Sequence, residues 1–220
     1  MPPDIRSANS PAEGLSAAMR ARLRQRVESA IPALHGWTTV DKGARMAEIV
    51  VEAASARSVE LGVFGGRGTI SLAIGHEAIG VGEVLAIDPW EAAASLEGEN
   101  SRENDEWWGK LDHEAIYASC LEALRASDVE RWCRVLRERS VEAVRRVSDA
   151  SVAVLHQDSN HSEAVSCAEV EQWVPKLRRD GWWIADDTDW ATTQKAQARL
   201  VELGFRAVED HGNWKVFRRR

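Results

Sequence analysis

Two acidic strings in this chain each follow a short apolar run: Leu155-His156-Gln157-Asp158-Ser159-Asn160-His161-Ser162 and Ile184-Ala185-Asp186-Asp187-Thr188-Asp189-Trp190. If those runs are neighbouring parallel strands, Asp158, Asp186 and Asp187 converge at one point. Carboxylates that close repel unless a cation stands between them. A hard divalent ion with oxygen ligands, Mg2+ first among them, resolves the repulsion. The competing chemistry is capping, since Asp-Ser-Asn-His-Ser and Asp-Asp-Thr-Asp also satisfy turns and helix N-termini. Capping suits Asp189. It does not explain acids on two separate strands, so metal binding is assigned to the other three.

A second constellation is Glu60-Leu61-Gly62-Val63-Phe64-Gly65-Gly66-Arg67-Gly68-Thr69. Glycines let backbone approach a ligand closely, and a helix starting there offers free N–H groups to it. Asp88 ends the next apolar run, in Val84-Leu85-Ala86-Ile87-Asp88-Pro89-Trp90. An acid at that place can accept both ribose hydroxyl protons of an adenosine-bearing ligand. The string Gly66-Arg67-Gly68-Thr69-Ile70-Ser71 approximates G-x-G-x-x-A and suggests a nicotinamide cofactor. Glu60 argues against it, because an acid before the first glycine fits a cationic amino-acid end better than a pyrophosphate.

These residues need a scaffold that sets them at strand ends. Leu15, Met19, Leu23, Val27, Ile31 and Leu34 form a helical stripe, and a second helix is predicted over 44–56. The pattern then alternates: strand 58–64, helix 69–79, strand 83–87, strand 132–136, helix 141–147, strand 151–155, helix 163–177, strand 181–185, helix 192–203. Such alternation implies right-handed crossovers and a doubly wound, Rossmann-like α/β sheet with helices on both faces. Strands 205–209 and 213–218 around Asp210-His211-Gly212 read as a closing antiparallel hairpin, with Arg218-Arg219-Arg220 as a solvated tail. Residues 97–112 are polar apart from Leu111 and Trp107-Trp108 and read as an insertion or lid.

Composition excludes several classes. The 220 residues are 44% hydrophobic and 29% charged, ordinary globular usage, so a packed core is expected and disorder is not. With 28 Lys+Arg against 35 Asp+Glu the net charge is -7, which argues against nucleic acid as a partner. Cys120, Cys133 and Cys167 are too dispersed for a zinc or redox pair, and reduced thiols point to the cytoplasm. No apolar run is long enough for a signal peptide or a membrane span. Self-association into a homo-oligomer is left open. Ten tryptophans against one tyrosine are the one unusual count, compatible with an aromatic-walled site or a Trp-rich core.

Taken together, Val59-Glu60-Leu61-Gly62-Val63-Phe64-Gly65-Gly66, Ala86-Ile87-Asp88-Pro89-Trp90, His156 to Ser162 and Asp186-Asp187 resemble the class I S-adenosylmethionine-dependent methyltransferases. The resemblance runs from about Trp37 to the C-terminus. It is to the metal-dependent small-molecule O-methyltransferases, in their cephalosporin-hydroxylase-like and macrolide-sugar branches. It implies a seven-stranded sheet, an N-terminal helical cap over 1–56 and a cofactor-binding domain over 57–220. It further implies that Gly62 and Gly66, with Glu60 nearby, hold the methionine end, Asp88 the ribose and Ser140 the adenine side, and that Asp158, Asp186 and Asp187 ligate the metal.

Gln157, Ser159 and Glu163 depart from the family pattern, and Asn160 stands where catechol-type members carry a lysine base, which excludes a lysine-based mechanism. Asp158 or His161 would receive the acceptor's proton, although a histidine at a strand end is equally often a structural hydrogen-bonder. The expected function is metal-assisted methyl transfer to a hydroxyl of a small molecule, a sugar, catechol or other diol. The alternatives are a nicotinamide oxidoreductase and a catalytically silent binding module. Trp90, Trp107, Trp108 and Trp190 are candidates for the acceptor wall, with packing as the competing role for each.

Overall fold

Strands form where the apolar runs place them: β1 (Arg57–Leu61), β2 (Glu83–Ile87), β3 (Cys133–Leu136), β4 (Val152–Gln157), β5 (Leu177–Asp186), β6 (Phe205–Asp210) and β7 (Trp214–Arg219). The structure, a computed structural model, describes residues 15–54, 57–99 and 101–219. Residues 1–14, 55 and 56 of the helical cap implied over 1–56 lie outside them. The strands make one seven-stranded sheet of order β3-β2-β1-β4-β5-β7-β6. Its first five members are parallel, and β7 runs antiparallel to both β5 and β6. This is the mostly parallel, doubly wound sheet with a closing hairpin that the alternation implied.

The helices, in chain order, are α1 (Ala17–Ala30), α2 (Val40–Ala53), α3 (Arg67–Ile79), α4 (Ala92–Ser95), α5 (Arg102–Trp108), α6 (His113–Ala126), α7 (Ser140–Ala143), α8 (Glu163–Trp173) and α9 (Gln194–Glu202). They cover the two faces of the sheet separately. Leu23, Val27 and Ile31 of the α1 segment, Met46, Ile49 and Val50 of α2 and Ile70 and Ile74 of α3 share one core with Val84, Val154, Trp182 and Ile184. Val59, Leu61, Leu85, Leu155, Trp183 and Ala185 share the other with Val170, Trp173 and Leu200. Adjacent Trp182 and Trp183 are thus both buried because successive strand residues point to opposite faces and both faces are covered.

Several boundaries differ from the expectation, each for a local reason. The first stripe stops being helical at Ala30, two residues before Pro32, a residue that cannot continue the backbone ladder. Helix α2 begins at Val40, capped by Thr39, and runs through Gly43. A Cβ at Gly43 would lie 2.5 Å from Ser71 Oγ, so this glycine is there for close packing on α3 and does not mark a boundary. Pro175 ends the α8 segment in a short 3-10 turn, and β5 starts at Leu177 with a register shift before Trp182. The arginine tail is not solvated as expected: Arg219 donates to the carbonyls of Val174 and Leu177, and Arg218 lies 4.5 Å over the Trp182 ring. Both belong to β7, while Arg220 is outside the described residues. Among the described residues no helix is long and apolar enough to cross a membrane.

Candidate active site

Strand order reverses between β1 and β4, and a cleft of about 780 Å³ opens there at the carboxyl ends of the strands. Gly62 lines it with φ +83°, and a Cβ there would fall 2.0 Å from the Asp158 carbonyl oxygen, so no other residue fits. Gly66 stands behind the cleft as the N-cap of α3. Asp88 lines the cleft, and its carboxylate accepts from the backbone N–H groups of Val63 (2.8 Å), Phe64 (3.0 Å) and Trp90 (2.7 Å). It therefore stitches the glycine loop to the end of β2. Burial pushes this carboxyl up despite the three backbone donors.

Ser140 begins α7 on the same side of the cleft and hydrogen-bonds the buried Glu169 carboxylate. Glu169 also accepts from Ser159 Oγ (2.7 Å) and Gln157 Nε2 (3.0 Å). Gln157 and Ser159, which depart from the family pattern, are thus paired with an acid on α8 that no sequence motif marked.

At the other end of the cleft lie the candidate metal ligands. His156, Asp158 and Asp186 each bring one ligand atom to within 4.8 Å of the others. His156 is fully buried; its Nδ1 lies 2.8 Å from Glu60 Oε1, while its Nε2 has no hydrogen-bond partner among the described residues. Glu60 is itself buried and also accepts from the Thr69 hydroxyl. Burial raises Glu60 well above the carboxylate range and drives His156 well below the usual imidazole value, so the pair favours neutral forms. A neutral imidazole donating Nδ1–H to Glu60 leaves the Nε2 lone pair free toward the two aspartates.

Asp187 is turned elsewhere: its Oδ2 lies 3.1 Å from His161 Nε2, which is 3.7 Å from Asp158 Oδ1. The structure therefore gathers Asp158 and Asp186 with His156, and sets Asp187 against His161. Burial lowers the His161 pKa, but Asp158 and Asp187 outweigh it and the net direction is upward. Burial and the neighbouring Asp186 push Asp158 up to about 7. Burial also acts upward on Asp186, yet the Lys42 ammonium, 2.5 Å away, leads the groups that hold it low. Asn160 closes the turn before α8 instead, its Oδ1 accepting from the N–H of Ser162, the N-cap residue, and α8 has no side-chain cap.

A buried, unpartnered imidazole nitrogen facing two carboxylates is a donor set for a divalent cation. One nitrogen and two oxygens suit Mn2+ as well as Mg2+. His156 joins this donor set without belonging to the acidic pattern, and its one signal in the sequence is that His156 and Asp158 are two apart in a strand and so share a face. Lys42 carries no signal, since it comes from α2, far from every motif.

The insertion closes over the cleft. Trp107 and Trp108 on α5 meet Trp37, which precedes α2, and Phe64 of the glycine loop, with ring centroids 4.9–6.2 Å apart. Asn160 Nδ2 donates to the carbonyls of Ala94, Ser95 and Glu97, and Arg139 pairs with Glu97, so the base of the insertion is tied to the ends of β3 and β4. Trp90 is buried, with Nε1 bonded to the Phe64 carbonyl. Trp190 is 41% exposed and lines the cleft edge-on to His161, 5.4 Å away.

Residues 59–188, more than half of the chain, match the methyltransferase-domain family, and the chain belongs to it. The fold is that of class I S-adenosylmethionine-dependent methyltransferases, here with a candidate metal triad. Solved structures share it at low identity. The O-methyltransferase NovP superposes with TM-score 0.64 at 15% identity, covering 84% of this chain and 83% of its own. Cofactor-bound Rv0187 from MTB gives 0.60 at 14%, covering 97% and 92%. The O-methyltransferase from Bacillus cereus, in complex with SAH, gives 0.56 at 14%, covering 93% and 91%. No curated protein sequence matches the chain.

Proposed function

We propose that this chain transfers a methyl group from S-adenosylmethionine to a hydroxyl of a small molecule, a sugar, catechol or other diol, with a divalent cation held by His156, Asp158 and Asp186. One observation carries the metal assignment: the buried His156 Nε2 lacks a hydrogen-bond partner among the described residues and faces two carboxylates at the end of the cleft away from Asp88 and Ser140. In this reading Glu60 and the backbone at Gly62 and Gly66 hold the methionine end, Asp88 the ribose and Ser140 the adenine side. Asp187, implied by the resemblance as a third acidic ligand, acts instead by steadying His161. The relatives named as O-methyltransferases support oxygen as the accepting atom.

When bound, the sulfonium supplies an electrophilic methyl group, and the cation orients the acceptor oxygens and lowers a hydroxyl pKa. The chain's own residues do the rest. His161 takes the acceptor proton at Nε2 once that nitrogen turns from Asp187, 3.1 Å away, to the acceptor, and the Asp187 and Asp158 carboxylates stabilise the resulting imidazolium. Trp190 walls the acceptor beside that imidazole. The lid over 97–112, anchored by Trp107 and Trp108, excludes water from the reacting atoms.

The test is a methyl-transfer screen over vicinal diols, catechols and hydroxylated sugars, with and without chelator. Activity that appears with Mg2+ or Mn2+ and vanishes in chelator is expected. Full activity in excess chelator overturns the metal assignment. Tight nicotinamide dinucleotide binding with no response to S-adenosylhomocysteine overturns the methyltransferase reading, and cofactor binding without turnover favours a silent module.

A further inference from the structure

Helix α2 delivers a cation into the acid cluster. Lys42 lies in its first turn, with its own backbone N–H donated to the Thr39 cap, and the residue is only 4% exposed. Its Nζ is 2.5 Å from Asp186 Oδ2, a close ion pair whose geometry falls short of an aligned hydrogen bond, and among the described residues it has no other partner. The backbone that carries it is fixed. One turn further on, Arg45 is bound to Glu209 of the hairpin and to Glu52, and Gly43 packs directly on Ser71. Lys42 also lies outside the family-matched stretch 59–188, on the N-terminal helix α2.

We infer that Lys42 is a tethered cation that shares Asp186 with the divalent ion and thereby sets how tightly that ion is held. The inference rests on the metal reading above. An ammonium buried against a carboxylate neutralises the charge that the ion would otherwise use, and it repels the ion through a medium that screens poorly. With no ion present the same ammonium compensates Asp186, so the cluster keeps its fold unloaded. Ion binding must therefore draw Asp186 partly away from Lys42, and affinity is lower than three ligands alone would give.

The experiment is a Mn2+ titration of the full chain, by calorimetry and by the electron paramagnetic resonance signal of free Mn2+, with S-adenosylhomocysteine binding as the folding control. Lys42→Met, which keeps the side-chain length without the charge, should bind Mn2+ at least about tenfold tighter than the natural chain, given the strength of like-charge repulsion at a buried site. Its melting temperature should fall in chelator and recover with Mn2+ by more than the natural chain gains. Lys42→Arg keeps the charge and should bind Mn2+ no tighter, which leaves a test in hand if Lys42→Met does not fold. Mn2+ binding by the natural chain with equal or weaker binding by Lys42→Met, or tighter binding by Lys42→Arg, overturns the sharing while the metal reading stands. Binding by neither the natural chain nor Lys42→Met overturns both.

Discussion

The two ends of the cleft hold their acids by different means. Asp88, at the end proposed for adenosine, is satisfied by three backbone N–H groups. Asp158 and Asp186, at the end proposed for the acceptor, are surrounded by side chains, with Lys42 on Asp186 and His161 near Asp158. Backbone donors cannot leave, so the first acid is part of the scaffold and its loop is preformed. Side-chain donors can rotate away, so the second pair can exchange partners when a ligand arrives. The same residue type thus serves as a structural clamp at one end and as an open valence at the other.

Removing each acid separates the two roles. Asp88→Ala should cost the most: three buried N–H groups lose a charged acceptor, at roughly 1.5–3 kcal/mol for each well-formed bond, so denaturant unfolding should show a loss of several kcal/mol together with weakened cofactor binding. A stable variant with normal S-adenosylhomocysteine affinity would break the comparison. Asp158→Asn should do the opposite. Methyl transfer should drop on the order of 100-fold or more, as expected for a lost metal ligand beside the general base, while cofactor affinity and stability stay near their original values.

Stability against pH sharpens the contrast. The folded-state pKa of Asp158, about 7, lies above its unfolded value of 3.8, so the protonated acid stabilises the fold below the unfolded value and that contribution is lost as pH rises through 7. In chelator, melting temperature should therefore decline over that window, and Asp158→Asn, fixed in a neutral form, should flatten the decline. Mn2+ should reverse the trend, because it requires the ionised carboxylate. A slope unchanged by Asp158→Asn would assign the effect elsewhere. The smallest expected change is at the lid: Trp107→Ala removes ring contacts worth about 0.5–1.5 kcal/mol each and should raise the acceptor KM up to roughly tenfold, with the melting temperature little altered.

Legible in the sequence is whatever depends on short distances along the chain. Strand ends, the glycine turn and the positions of Asp88, Asp158 and Asp186 follow from patterns within a dozen residues, and the doubly wound sheet follows from alternation. Features that depend on contacts between distant segments leave no such pattern. Lys42 reaches Asp186 from a helix more than a hundred positions earlier, Glu169 finds Ser140 and Ser159 only because α8 packs beside α7, and Trp37 meets Trp107 over the mouth of the cleft. Nothing within the local pattern shows that α2 already begins at Val40, because Gly43 sits in it for packing on Ser71, a contact between distant segments. His156 is easily overlooked because it stands beside Gln157 in sequence, although the strand pleat aligns it with Asp158.

The ring cluster at the mouth has a kinetic consequence. Trp37, Phe64, Trp107 and Trp108 belong to three separate segments and all line the cleft, so widening it between those segments breaks several ring contacts together. Such an event is a single cooperative opening, slower than the rotation of any one side chain. Under the proposed methyl transfer, release of the spent cofactor through that opening is expected to set the pace, so the first turnover should outrun the following ones and solvent viscosity should slow the steady state more than the initial burst.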